Sequence, residues 1–215
     1  MKNFYLLSLL MAFGVIAGAQ KNDPEAKKIL DGVSTKFKSF KTVQASFTYS
    51  VENADGKSLS TKKGTVSMKG TKYRVSFNGQ EIYCDGTTVW NYDKLSNEVT
   101  VSKLDAASGT ITPQKLFTNF YDKDFLYTLN GTKKLGNKTL QEIQMTPTDK
   151  GKPFHTVYLL VDKNSKTIYS TKVLEKTGDR YSYTVNSLKS NQPMDDKLFV
   201  FDKSKYPGVE VVDLQ

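Results

Sequence analysis

Two periodicities divide the chain. Between Ile29 and Phe40 the apolar residues Ile29, Leu30, Val33, Phe37 and Phe40 return every three or four positions, while Lys27, Lys28, Lys36 and Lys38 fill the other side. That spacing predicts an amphipathic helix with one wide apolar face. Asp23-Pro24-Glu25 supplies its start. The Asp side chain accepts from the first free amides, the Pro loses nothing there by lacking an N–H, and the Glu sits at the positive end of the helix dipole. Gly32 weakens the middle by about 1 kcal/mol relative to Ala, so the helix needs a surface to lie on.

After Lys41 the period becomes two. Val43, Ala45, Phe47, Tyr49 and Val51 alternate with Thr42, Gln44, Ser46, Thr48 and Ser50, as a half-buried strand does. Turn signals such as Asn78-Gly79 and Asp85-Gly86 then separate short strands at 65–69, 73–77, 81–84 and 88–92 and around Val99 and Val101. Thr112-Pro113 opens a short central helix containing Phe117. Strands resume at 125–129, 140–145, 154–161, 167–174 and 181–188, with turns at Asn130-Gly131, Lys163-Asn164 and Gly178-Asp179, and the chain closes with 198–201 and 209–214.

Roughly ten strands strain an open twisted sheet, which then curls or splits. The expected fold is mainly β with α: a curled antiparallel sheet forming an incomplete β-barrel. The N-terminal helix and the short central helix would form a lid over the concave face, whose Phe, Tyr, Val and Met residues suit an apolar ligand. A two-residue Asp85-Gly86 loop pairs Tyr83 with Thr88 and Ile82 with Val89. Ile82, Cys84 and Val89 then share one face, and Tyr83, Trp90 and Tyr92 the other. Both sets are apolar, so alternation leaves open which one lines the cavity.

The N-terminus changes the picture most. Lys2, the apolar run 4–16 and Ala17-Gly18-Ala19 form a signal-peptide pattern, assigning residues 1–19 to export and 20–215 to one domain. Cys84 stands alone, so no internal disulfide is available and the residue reads as buried and apolar. The net charge of +9 comes from scattered lysines, which argues against a nucleic-acid partner. His155 is the only histidine and no Gly-x-Ser-x-Gly elbow exists, so neither a zinc site nor a nucleophile–base pair can be assembled in the usual way. Asp122/Asp124 and Asp195/Asp196 lie in polar stretches, the second pair capping the segment before Leu198. A binding protein rather than an enzyme is expected, with no cofactor and no metal.

Several fragments, in order, resemble the periplasmic outer-membrane lipoprotein carrier (LolA-like) family. They are the N-terminal helix leading to Phe40; Ala45-Ser46-Phe47; the run Gly64 to Val75; Tyr83-Cys84-Asp85-Gly86-Thr87-Thr88-Val89-Trp90-Asn91-Tyr92-Asp93; Thr112-Pro113; and Phe199-Val200-Phe201 through Tyr206-Pro207-Gly208 to Val212. The resemblance implies a monomeric periplasmic carrier whose cavity accepts lipoprotein acyl chains. An inner-membrane ABC transporter would release the cargo for delivery to the outer membrane, with or without a receptor there. The implied cavity residues are Ile29, Leu30, Val33, Phe37, Phe47, Tyr49, Met68, Tyr73, Val75, Phe77, Trp90 and Phe117. Lys69-Gly70 stands where the family has Arg-Pro, which makes Lys69 the expected lid-control residue without the arginine's planar fork of donors. Val75 replaces the family's Trp. Alternatives are a lipid- or lipoprotein-sensing domain of the same superfamily, a lipid-modifying enzyme, or a structural envelope protein.

The mature chain is expected to begin at Gln20. N-terminal sequencing of the exported protein checks this, and a retained Met1 would contradict it.

Overall fold

The computed structural model describes residues 22–104 and 121–215. Twelve strands form one sheet. Its first run is β1 (Thr42–Glu52), β2 (Ser58–Lys69), β3 (Lys72–Phe77), β4 (Gln80–Cys84), β5 (Thr88–Asp93) and β6 (Glu98–Lys103). The second is β7 (Phe125–Leu135), β8 (Lys138–Pro147), β9 (Phe154–Asp162), β10 (Thr167–Glu175) and β11 (Arg180–Ser190), and the chain ends in β12 (Glu210–Asp213). The order across the sheet is β12-β6-β5-β4-β3-β2-β1-β11-β10-β9-β8-β7. Two antiparallel meanders therefore meet where β1 pairs with β11, and the sheet does not close into a barrel. The incomplete-barrel class holds.

Helix α1 (Pro24–Lys38) starts where expected. Asp23 serves two elements at once. Its Oδ1 accepts from the amides of Glu25 (2.8 Å) and Ala26 (3.4 Å), and its Oδ2 from the amide of Leu129 on edge strand β7 (3.0 Å). The Asp23 amide also donates to the Tyr127 carbonyl. One residue thus caps the helix and fastens it to the sheet. A second, very short helix, α2 (Tyr121–Asp124), leads into β7. The central helix placed near Thr112 lies outside the described residues, as does the segment 1–19 expected to be a signal peptide.

Three readings need correction. Strand β7 does not turn at Asn130-Gly131; its pairing with β8 shifts register between Leu129 and Gly131 and runs on to Leu135. Gly131, at φ +122°, absorbs this irregularity, so a turn-like dipeptide here marks a bulge. The closing strand β12 pairs parallel to β6, making one parallel edge in an otherwise antiparallel sheet. The β4–β5 hairpin pairs Cys84 with Val89 and Tyr83 with Trp90, two residues away from the expected register. Because the side-chain period is two, that shift leaves every residue on its expected face.

Two covers hold the sheet from opposite sides. On the inner face, Ala26, Leu30 and Val33 of α1 pack with Tyr127, Ile143, Met145, Val157, Leu159 and Val161 of β7–β9. On the outer face, the segment after β11 crosses β4–β6, where Phe201 and Val209 bury Tyr83, Tyr92 and Val99. That segment contains a 3-10 turn, Asp196–Phe199, capped by the Asp195 side chain. Phe199 is completely buried within it. Phe199→Ala should cost about 3–5 kcal/mol, the usual effect of emptying a buried aromatic site. Urea melts would show it as a lowered midpoint, and an unchanged midpoint would contradict the packing.

Candidate functional site: the inner apolar face

Strand alternation places Val43, Ala45, Phe47, Tyr49 and Val51 of β1 on the inner face. Cross-strand pairing extends the row to Met68, Val66 and Gly64 of β2, then to Tyr73, Val75 and Phe77 of β3, and on to Cys84 and Ile82 of β4. On the other side of β1, Leu188, Val185, Tyr183 and Tyr181 of β11 complete it. The row has two ends with different surroundings.

At the end nearest the C-terminus of α1, Val43, Ala45, Met68, Tyr73 and Cys84 form a buried cluster. Phe37 and Phe40 pack on it from the helix side and Leu104 from the end of β6. The rings of Phe37 and Phe40 meet edge-to-face at 6.1 Å. A depression of about 210 Å³ lies beside this plug, lined among others by Phe37, Phe40, Val43 and Met68. No residue of the cluster is charged at neutral pH. Burial, with the Cys84 thiol beside it, pushes the Tyr73 phenol up to about 12, and burial raises the Cys84 thiol as well.

The opposite end is an aromatic rim. Tyr49 lies 4.9 Å from Tyr183, 5.5 Å from Phe77 and 6.0 Å from Tyr181, ring centre to ring centre, and Phe47 lies 5.7 Å from Phe77. Gly64 makes room for it: a Cβ there would collide with the far end of the Phe47 ring, so the ring approaches the β2 backbone closely. The rim is open rather than packed, with Tyr183 44% exposed. Val66, Val75 and Ile82, all partly buried, join rim to plug.

Six of the expected residues therefore share one face: Phe47, Tyr49, Met68, Tyr73, Val75 and Phe77. Phe37 reaches it from α1. Leu30 and Val33 are committed to the β7–β9 cluster, with Ile29 packed at its margin. Trp90 is placed differently: it is on the outer face, packed with Tyr83 and Tyr92 beneath the C-terminal segment. Lys69 is also outside. Its ammonium lies 2.8 Å from Asp196 and 3.1 Å from the Met194 carbonyl, so it fastens the C-terminal segment and does not reach inside. Phe117 lies outside the described residues. Tyr181 and Tyr183 were missed; their alternation is visible in the sequence, but only the long-range pairing of β11 with β1 brings them to Tyr49.

A larger depression, about 460 Å³, is lined by the outer-face residues Ser46, Thr48, Lys63, Thr65 and Ser76 with Asn186, and also by Phe47 and Gly64 of the rim. His155 is exposed on β9 with Nδ1 2.9 Å from the Thr156 hydroxyl. Among the described residues no group of three or more His, Cys, Asp or Glu could hold a metal ion. No described helix is long and apolar enough to cross a membrane.

Residues 38–202 match the family Outer membrane lipoprotein carrier protein LolA. The chain belongs to this family. The outer-membrane lipoprotein carrier protein of Serratia proteamaculans is 27% identical over 209 residues, covering 95% of this chain and 97% of that one. Among solved structures, an uncharacterized conserved protein from Thermus thermophilus shares the fold with a TM-score of 0.61 at 17% identity, covering 88% of this chain and 99% of that one. LprF from Mycobacterium bovis gives a TM-score of 0.50 at 11% identity, over 81% of this chain and 97% of its own. At those identities the two structures speak for the fold alone.

Behind the inner face, one carboxylate ties down the outer cover. Glu81 accepts from Arg74 (2.7 Å), Lys94 (2.8 Å) and the Tyr83 hydroxyl, which lies 2.7 Å from the Tyr206 hydroxyl of the C-terminal segment. Burial alone would raise the Glu81 carboxyl; the hydrogen bonds from Lys94, Tyr83 and Arg74 outweigh it and hold it at about 2, against an ordinary 4.5. Since the folded value is the lower, this stabilisation is complete above about pH 4.5 and is lost as pH falls toward 2. Glu81→Gln should therefore destabilise the protein at pH 7, and the gap from wild type should shrink between pH 4.5 and 2. Denaturation series across that range check this, and a gap independent of pH would contradict it.

Proposed function

We propose that this protein is a periplasmic carrier that holds the acyl chains of lipoproteins against its inner face and moves them from the inner to the outer membrane. The carrying observation is the uncharged apolar row from Val43 to Tyr49, flanked by the inward residues of β2, β3 and β11, blocked at one end and open at the other. The six residue steps from Val43 to Tyr49 span roughly 20 Å, a track on the scale of an extended acyl chain. Each buried CH₂ is worth about 0.8 kcal/mol, so even partial occupation gives substantial affinity without any polar contact. Family membership supports the reading.

Phe37 and Phe40 supply a route to release. They rest on the same Val43–Met68 surface that a deeply inserted chain would use, so cargo and helix end compete for it. Net affinity is the difference between two hydrophobic contacts, which keeps unloading feasible. Loading from an inner-membrane ABC transporter and delivery to an outer-membrane receptor or directly to that membrane complete the proposed cycle. The carrier performs no covalent chemistry in it.

Val75→Glu tests the reading. The carboxylate would face hydrocarbon with no partner, and acyl binding should be lost. Thr65→Glu puts the same charge on the exposed outer face and should bind normally. Release of lipoproteins from spheroplasts is the measurement, with circular dichroism showing that both variants are folded. Equal release by a folded Val75→Glu protein would overturn the assignment.

A further inference from the structure

The open end of the row is not purely apolar. Tyr49, Tyr181 and Tyr183 carry three phenol hydroxyls there, and none of them has a hydrogen-bond partner among the described residues; Tyr158 and Tyr169 elsewhere on the sheet also have none, while Tyr73, Tyr83, Tyr92, Tyr121, Tyr127 and Tyr206 each have one. A row that needed only to hold hydrocarbon would be served as well by phenylalanine, as Phe47 and Phe77 show within the same cluster. Lys62 is paired with Tyr49 across β1 and β2, and its ammonium donates to Asn78. Three O–H donors therefore stand at the mouth of the apolar track beside the Asn78-bound ammonium, with Glu175 acting electrostatically on Tyr49 and Tyr181 and Asp179 on Tyr181.

We propose that this rim binds the ester carbonyls of the diacylglyceryl group that heads a lipoprotein's acyl chains. The inference rests on the carrier reading and deepens it. Ester oxygens accept hydrogen bonds and donate none, which matches the phenols. They lie where chains join the glyceryl unit, so chains running toward Val75 and Met68 leave them at the level of Tyr49. The glyceryl carbons suit the faces of Tyr181 and Tyr183. The rim would set the depth at which the cargo stops, leaving its polypeptide outside the sheet.

The test compares two synthetic lipopeptides that differ in one respect: acyl esters on the glyceryl unit in one, alkyl ethers in the other. Wild-type protein should bind the ester form roughly tenfold more tightly, the effect of one or two hydrogen bonds. The triple variant Tyr49→Phe, Tyr181→Phe, Tyr183→Phe keeps every ring and removes no hydrogen bond of the fold. It should bind the two probes alike. A wild type that binds both without preference, or a triple variant that keeps the preference, would overturn the inference while leaving the carrier reading intact. Binding of neither probe would overturn both. Phosphatidylglycerol in ester and ether forms identifies the source: an ester preference confined to the phospholipid would overturn the assignment to a lipoprotein head.

Discussion

Among the described residues, α1 alone cannot cover twelve strands. Neighbouring strands lie roughly 4.8 Å apart, so the sheet is about 50 Å across, while a 15-residue helix is about 22 Å long and 10 Å wide. Every strand side chain falls on one face or the other, and apolar ones seek cover. Helix α1 commits Leu30 and Val33 to β7–β9, and only its last turn and the following residues, Phe37 and Phe40, reach the β1–β4 half. Among the described residues, the inner row from Val66 to Tyr49 is what this mismatch leaves half-exposed. The proposed site follows from it.

The outer face meets the same demand differently. Over β11, β1 and β2 it is polar, rich in Ser, Thr and Lys with Gln44, Glu52 and Arg180 among them, and needs no cover; Ser46 and Ser187 share a hydrogen bond at 2.7 Å. Over β4–β6 it is apolar, and the C-terminal segment closes it with Phe201, Tyr206 and Val209. Lys69 and Lys72 hold that segment at Asp196, and Glu81 holds it at Tyr206. A lysine serves this exposed ion pair well because the contact is a point charge, with no need for a guanidinium fork.

Local chemistry was legible where it acts alone. Asp23-Pro24 announced the helix, and the β1 alternation from Val43 to Val51 announced both a strand and its inner face. Cys84 read as buried, and it is fully so. What depends on pairing was not legible. Asn130-Gly131 carries the composition of a turn, yet the neighbouring β8 holds it in the ladder. Trp90 belongs to a hairpin with two apolar faces, and only the arrival of Phe201 and Tyr206 from more than a hundred residues away decides which one is outside. Tyr181 and Tyr183 became part of the rim by the same kind of long-range pairing.

The central claim is that acyl chains lie along the inner face of β1–β3 and β11. Photo-crosslinking tests this most directly: a lipopeptide with a photoreactive group midway along one acyl chain, bound, irradiated, and mapped by mass spectrometry. Labels should fall on inner residues such as Phe47, Val66, Val75 and Ile82, with none on Thr48, Arg74 or Trp90. Labelling concentrated at Trp90 and Tyr206, or spread evenly over both faces, would contradict the account.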